Sequence, residues 1–263
     1  MADDGSRENM VDLHCHILSG MDDGARSVEE SLAMAEMAIA DGITHIVATP
    51  HSSNEYHFDF ALVQQAAAEL QSAIGDRAKI ATGCDFHLSP ENLAALKRKP
   101  APFCIHQKNY LLVEFNEFSI PPSIDNAIYD IQLTGLRLVV THPERNGIIR
   151  SQPDRLEKWI RTGCYGQVTG GSLTGTFGPS SRQMSLAWIA RGLVHFVASD
   201  AHNLTGRPHK LREAYQVVRA EFGREKAQAL LVENPLAAFE GRPLPHVPEI
   251  VEEQPKKKRF IFF

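Results

Sequence analysis

The sequence predicts an α/β fold of about seven β-α units closed into a barrel. Three observations carry this: short apolar, β-branched runs alternate with longer segments of helical character, the units recur without a linker from Met10 to Phe239, and metal-capable side chains stand where apolar runs stop. So many β-α units in a chain of this length exceed an ordinary open sheet, and closure into a ring is the expected solution. A doubly wound sheet is the alternative.

In chain order the strands are expected at Met10–His14, Thr44–Ala48, Lys79–Gly83, Tyr110–Glu114, Leu136–Thr141, Gly166–Thr169 and Val194–Ala198. After the first, Ser27 with Glu30 three residues on can cap a helix, and Leu32, Ala35 and Ile39 form its apolar stripe. Further helices are expected over Phe60–Ile74, Pro90–Lys97, Ser123–Thr134, Pro153–Thr162, Ser181–Arg191, Lys210–Phe222 and Arg224–Val232. Several end in glycine, at Gly42, Gly75, Gly135, Gly163 and Gly192, the residue best suited to the left-handed closing position.

With 263 residues, 43% hydrophobic and 22% charged, the chain reads as one soluble globular domain over residues 10–240. It is flanked by a flexible N-terminus (1–9) and a flexible proline-rich, charged tail (241–263). The net charge of -5 argues against a nucleic-acid binder, which depends on lysine and arginine to neutralise phosphates. The polar start is no secretory signal and no stretch approaches the roughly 20 apolar residues of a membrane span, so a cytoplasmic location is expected. The tail ends in a basic cluster followed by aromatics, Pro255 to Phe263, which we read as a solvated end rather than a membrane or partner contact. Homo-oligomerisation is compatible with the sequence and is not specified by it.

Cys15, Cys84, Cys104 and Cys164 are scattered, without a C-x-x-C pair, as expected of reduced structural thiols. None has arginine six positions later; Met21, Pro90, Tyr110 and Gly170 stand there. That excludes the cysteine-dependent route to phosphotyrosine hydrolysis.

Chemistry concentrates at the strand ends. His14-Cys15-His16 closes the first strand, where residues two apart share a face about 6.5 Å apart along the chain and can reach one ion. Asp200-Ala201-His202 repeats the pattern after Leu193–Ala198. Asp22-Asp23-Gly24, Thr49-Pro50-His51, Gly83-Cys84-Asp85, Glu114 and His142-Pro143-Glu144-Arg145 stand at or after the other ends. Singly, each is an ordinary polar strand end or helix cap. Together they point to a metal site, because strand ends of a parallel barrel converge on one face, and grouped carboxylates without cations would repel one another. Arg145 and Arg207 follow two of these motifs, and their planar forks suit bidentate phosphate contact; surface salt bridging is the bland alternative. His209 and His57 read as loop histidines.

His14-x-His16, Asp23-Gly24, Thr49-Pro50-His51, Glu114-Phe115, His142-Pro143-Glu144-Arg145 and Ser199-Asp200-x-His202-Asn203 resemble the signature series of the polymerase and histidinol phosphatase superfamily. Asp22-Asp23-Gly24, His142 to Arg145 and Ser199 to Arg207 resemble most closely the bacterial protein-tyrosine phosphatases of capsule and exopolysaccharide synthesis. The resemblance runs from about Met10 to Phe239. It implies a distorted seven-stranded (β/α) barrel holding three divalent ions, manganese first, with iron, zinc, magnesium or cobalt as alternatives. By position, one ion takes His14, His16, Asp85 and Asp200; a second shares Asp85 and takes Glu114 and His142; the third takes Asp23, His51 and His202. The family often has glutamate where this chain has the bridging Asp85.

Three divalent ions against the carboxylates of Asp23, Asp85, Glu114 and Asp200 leave a net positive site that attracts a phosphate dianion. A water shared by two ions can lose its proton near neutral pH and attack phosphorus in line. By resemblance, Arg145 and Arg207 clamp the substrate, a phosphotyrosine protein, and the partner is a bacterial tyrosine autokinase controlling polysaccharide export. The rivals are a phosphoesterase for histidinol phosphate, a sugar phosphate or a nucleic-acid end, and a catalytically silent metal-binding module.

Overall fold

The structure is a computed structural model and describes residues 8–252. Nine strands follow in order: β1 (Met10–Cys15), β2 (Ile43–Ala48), β3 (His51–Ser52), β4 (Lys79–Thr82), β5 (Asp85–His87), β6 (Tyr110–Glu114), β7 (Arg137–Thr141), β8 (Tyr165–Thr169) and β9 (Phe196–Ala198). Every pairing is parallel, in a three-stranded sheet β1-β2-β4 and a six-stranded sheet β3-β5-β6-β7-β8-β9.

The described residues thus form nine strands in two parallel sheets, where seven strands in one ring were expected. All seven expected segments are strands, but the second and third each continue as a short new strand beyond a break. At the first break Thr49 Oγ1 accepts from Cys15 N–H (3.1 Å), and Pro50 has no N–H to offer a ladder. At the second, Gly83-Cys84 separates β4 from β5. The sheets stay joined across the break by Gly83 N–H to Ala48 O (2.9 Å) and Asp85 N–H to Pro50 O (3.2 Å). On the opposite side β1 meets the chain after β9, where Asp200 N–H donates to His14 O and His16 N–H to Ala201 O, both at 2.8 Å.

Side-chain alternation divides the apolar residues into two clusters. On β6, Leu111 and Val113 join the large cluster packed under the helices, with Ile128, Ile131 and Trp159, whereas Tyr110 and Leu112 join a smaller one with Val11, Val47, Val139, Phe196 and Phe239. Period-two geometry puts Glu114 on the face of Tyr110 and Leu112, at the carboxyl end of their row. Burying one large apolar side chain is worth roughly 1.5–3 kcal/mol, so this double core fixes which face each strand-end residue presents.

The helices form largely where expected, over Val28–Asp41, Phe60–Ile74, Pro90–Arg98, Ile124–Gln132, Pro153–Arg161, Gly178–Ala190, Arg212–Phe222 and Arg224–Gln228. Ser27 Oγ accepts from Glu30 N–H (3.2 Å), a cap worth about 1 kcal/mol, and Gly42 closes the same helix at φ 96°. Glu30 reaches back to the Arg26 N–H (3.0 Å) rather than to that of Ser27. Three short helices were not anticipated: Gly147–Ser151, Gly170–Thr174 and Asn234–Glu240. Beyond Glu240 the chain is irregular yet attached, with Tyr110 Oη donating to Arg242 O (2.8 Å), Asn234 Nδ2 to His246 O (2.7 Å) and Val251 N–H to Arg191 O (3.0 Å). The basic-aromatic cluster from Pro255 lies outside the described residues. Among the described residues no helix is long and apolar enough to cross a membrane.

Candidate metal centre

The eleven residues singled out from the sequence come together at the carboxyl ends of the strands. His14 is the last residue but one of β1 with His16 just beyond the strand, His51 opens β3, Asp85 opens β5, Glu114 ends β6, His142 follows β7, and Asp200 and His202 follow β9. The register explains the convergence, because Asp85 pairs with His51 on one side and with Leu112 on the other.

Histidine nitrogens and carboxylate oxygens approach one another within 4 Å throughout this cluster. His14 Nε2 lies 3.4 Å from both Asp85 Oδ2 and Asp200 Oδ1, and His16 Nε2 lies 3.5 Å from Asp200 Oδ1. His142 Nε2 is 3.5 Å from Glu114 Oε1 and 3.9 Å from Asp85 Oδ2. Asp23 Oδ1 is 3.4 Å from His202 Nε2 and 3.5 Å from His51 Nε2, while His51 Nδ1 is 3.4 Å from Asp85 Oδ2. Donor atoms close enough to share an ion include the sets His14-His16-Asp85, His14-His142-Asp200 and His16-Asp23-His51-His202. The last adds His16 to the trio expected from resemblance.

Whether these residues suit divalent ions can be tested on their hydrogen bonds. His14 Nδ1 faces Gln167 Oε1 (3.0 Å) and His16 Nδ1 faces Asp22 Oδ2 (2.6 Å), so both rings carry a proton on Nδ1. Their Nε2 lone pairs then confront each other at 3.2 Å, an arrangement that needs a proton or a metal cation between them. His51 Nδ1, Asp85 Oδ2, Asp200 Oδ1 and His202 Nε2 are buried and make no hydrogen bond. Buried polar atoms in folded proteins are as a rule paired, so four such atoms gathered in one pocket call for a partner. The donor set fits divalent ions.

Titration behaviour points the same way. Burial alone pushes His14 and His16 down, but Asp85 and Asp200 outweigh it at His14, and Asp22 and Asp200 lift His16 to about 10. Asp22, despite burial, is drawn to about 2 by His16, and Asp85 and Asp200 are held low by His14 and its neighbours. Burial drives His142 down to about 3, with Arg145 adding to it, and lowers His51 and His202. The pocket therefore keeps Asp22, Asp85 and Asp200 ionised and draws in positive charge.

Arg145 Nη1 and Arg207 Nη2 both donate to Asp200 Oδ2, and the Arg145 guanidinium lies over the Phe177 ring, 4.4 Å from its centroid. Arg207 Nε is buried and makes no hydrogen bond. His142 (φ 29°) and Asp200 (φ 53°) adopt left-handed backbone, costing on the order of 1–3 kcal/mol each and typical of residues held for function. Gly24 is required by crowding: a Cβ there would sit 2.0 Å from His16 O.

Four features escaped the sequence reading. Asp22 backs His16 rather than facing an ion directly. Gln167, an unremarkable polar residue on β8, backs His14. His87, two residues after Asp85 on the same strand, contacts Glu114 through Nε2; burial lowers its pKa but Glu114 outweighs this and raises it. The two-residue spacing was the available signal. His209 does lie in a loop but is fully buried, its Nε2 2.7 Å from Asp12 Oδ2, and Asp12 also accepts from Ser199 N–H (2.9 Å) and Oγ (2.5 Å), pinning the segment that carries Asp200 and His202.

Relatives share this chain nearly end to end. It is 35% identical over 257 residues to the tyrosine-protein phosphatase YwqE of Bacillus subtilis, covering 96% of this chain and 99% of YwqE. It is 31% identical over 255 residues to a putative tyrosine-protein phosphatase, CapC of Staphylococcus aureus, covering 95% and 99%. In a crystallographic study of YwqE from Bacillus subtilis and CpsB from Streptococcus pneumoniae, described as unique metal-dependent tyrosine phosphatases, the matching chain superposes with a TM-score of 0.85 at 35% identity, covering 93% of this chain and 100% of that one. Residues 10–240 match the profile for capsular polysaccharide synthesis, CpsB/CapC, and the chain belongs to that family.

Proposed function

We propose that this protein is a metal-dependent protein-tyrosine phosphatase, a hydrolase of phosphoric monoesters. The observation that carries the reading is the set of four buried ligand atoms without hydrogen bonds, on His51, Asp85, Asp200 and His202, gathered beside two guanidiniums. We assign His14, His16, Asp85 and Asp200 to one ion, Asp85, Glu114 and His142 to a second, and Asp23, His51 and His202 to a third, with manganese the preferred metal. Bound there, divalent ions supply Lewis acidity toward phosphoryl oxygens and a water acidic enough to attack phosphorus at neutral pH.

The chain's own residues do the rest. Gln167 and Asp22 fix the His14 and His16 rings with Nε2 turned inward. Arg207, with its unpaired Nε–H, and Arg145, stacked on Phe177, bind the phosphate oxygens of the substrate. The substrate we infer is a cytoplasmic tyrosine autokinase acting in capsule or exopolysaccharide regulation; the tyrosine-phosphatase names of the relatives and the capsular polysaccharide synthesis of the family support a phosphotyrosine protein in that setting. We also read the two sheets, joined at both seams, as a distorted (β/α) barrel.

Initial rates on a phosphotyrosyl peptide, histidinol phosphate and single-stranded DNA, with manganese and after chelation, test this. Manganese-dependent preference for the phosphotyrosyl peptide is expected. Faster turnover of histidinol phosphate, or activity indifferent to chelation, would reject it.

A further inference from the structure

The ligand assignment leaves the ion at Glu114 with fewer protein groups than its neighbour, and an imidazole stands beside it unassigned. We propose that His87 is a further metal ligand, binding through Nε2 the ion held by Glu114; this rests on the metal-dependent reading above.

Strand geometry places it there. Asp85 and His87 are two apart on β5, so both side chains leave the same face. In register, Asp85 stands opposite His51 on β3, and His87 stands opposite Glu114 on β6. The same two-residue spacing occurs at His14-x-His16 and Asp200-x-His202, where both members of each pair face the centre. Asp85-x-His87 is its third occurrence, with only its first member so far assigned.

The contacts agree. Glu114 divides its two oxygens, Oε1 lying 3.5 Å from His142 Nε2 while Oε2 meets His87 Nε2. His51, His87 and Glu114 offer ligand atoms that lie within 4.8 Å of one another. His51 Nε2 lies 3.5 Å from Asp23 Oδ1, and His51 is assigned with Asp23 and His202 to another ion. His87 is thus the imidazole available to Glu114 Oε2. Its position is fixed, because its carbonyl accepts from Ser89 N–H (2.9 Å) and Asn92 Nδ2 (2.9 Å) at the turn into the helix Pro90–Arg98. The side chain is 27% exposed, at the rim of the pocket. An aspartate reaches one methylene less far than a glutamate, and Asp85 Oδ2 lies 3.9 Å from His142 Nε2, farther than Glu114 Oε1 at 3.5 Å.

The rival role for His87 is hydrogen-bond donation to Glu114, and the two differ in where one proton sits. Full-length protein labelled with 15N-histidine and loaded with zinc, compared with H87Q for assignment, gives the protonation of each ring nitrogen by long-range 1H–15N correlation. We expect His87 Nε2 to be unprotonated and metal-shifted, with its proton on Nδ1. In parallel, chelator competition on H87A should show the weakest-held zinc released about 10-fold or more readily than from the wild type. Zinc bound with His87 Nε2 still protonated would overturn this inference alone. No zinc bound to the wild type would overturn the metal reading and this inference with it.

Discussion

His16 and Asp22 form a carboxylate–imidazole pair in which Asp22 Oδ2 lies 2.6 Å from His16 Nδ1 and the opposite ring nitrogen faces Asp200. Asp22 Oδ2 also accepts from the His51 N–H (2.9 Å), so one buried carboxylate orients two of the inward histidines. Such partners raise ligand basicity and fix the tautomer.

Asp22→Asn should therefore weaken metal binding by about 10–100-fold while leaving the fold intact. Competition titration against a chelator reads the affinity, and circular dichroism reads the fold. Activity should recover at saturating manganese; unchanged affinity would show that the pair does not support the centre.

Arg145→Ala and Arg207→Ala should each lower kcat/KM on a phosphotyrosyl peptide by about 10–100-fold, the equivalent of a charge-assisted hydrogen bond worth roughly 1.5–3 kcal/mol. Lysine at either position should restore only part, because a point charge lacks the planar fork. Steady-state kinetics at saturating metal provide the check, and wild-type kcat/KM in either alanine variant would remove that arginine from the phosphate site.

In the metal-free protein the titration of His16 and Asp22 sets a pH window for stability. His16 rises from 6.5 to about 10 on folding, so its contribution is fully present below 6.5 and is lost as pH climbs toward 10. Asp22 falls from 3.8 to about 2, so its contribution is present above 3.8 and is lost as pH drops through 2. Calorimetric Tm of chelated protein should peak between these limits and decline on both sides. A Tm still rising at pH 9 would contradict the protonated His16.

Asp12→Ala should destabilise the protein by at least about 2 kcal/mol, since it strips the buried Ser199 N–H and His209 Nε2 of their acceptor. Denaturant titration measures this. Metal affinity should fall with it, because the Asp200 and His202 segment loses its anchor.

Much of this was legible in the sequence wherever a strong local signal existed. Apolar runs that stop at histidine or carboxylate, as at His14, Glu114 and Asp200, announce both a strand and the end that carries the candidate site. The break at Thr49-Pro50 was less visible, because a proline beside a strand says that pairing stops but not that it resumes at His51. Gln167 and Asp12 were hidden for a different reason: their roles depend on partners 153 and 197 residues away, at His14 and His209. Nothing in a linear pattern marks an ordinary polar residue for such a contact. That both Arg145 and Arg207 rest on one oxygen of Asp200 is likewise a property of the assembled rim.

On the proposed function, strand-end residues distant along the chain hold a cluster of divalent cations. Anomalous diffraction from crystals grown with manganese and phosphate tests it most directly. Peaks enclosed by His14, His16, Asp85 and Asp200, by Asp85, Glu114 and His142, and by Asp23, His51 and His202, with phosphate between them and the two arginines, are predicted. A well-ordered pocket without anomalous density at saturating manganese would contradict it.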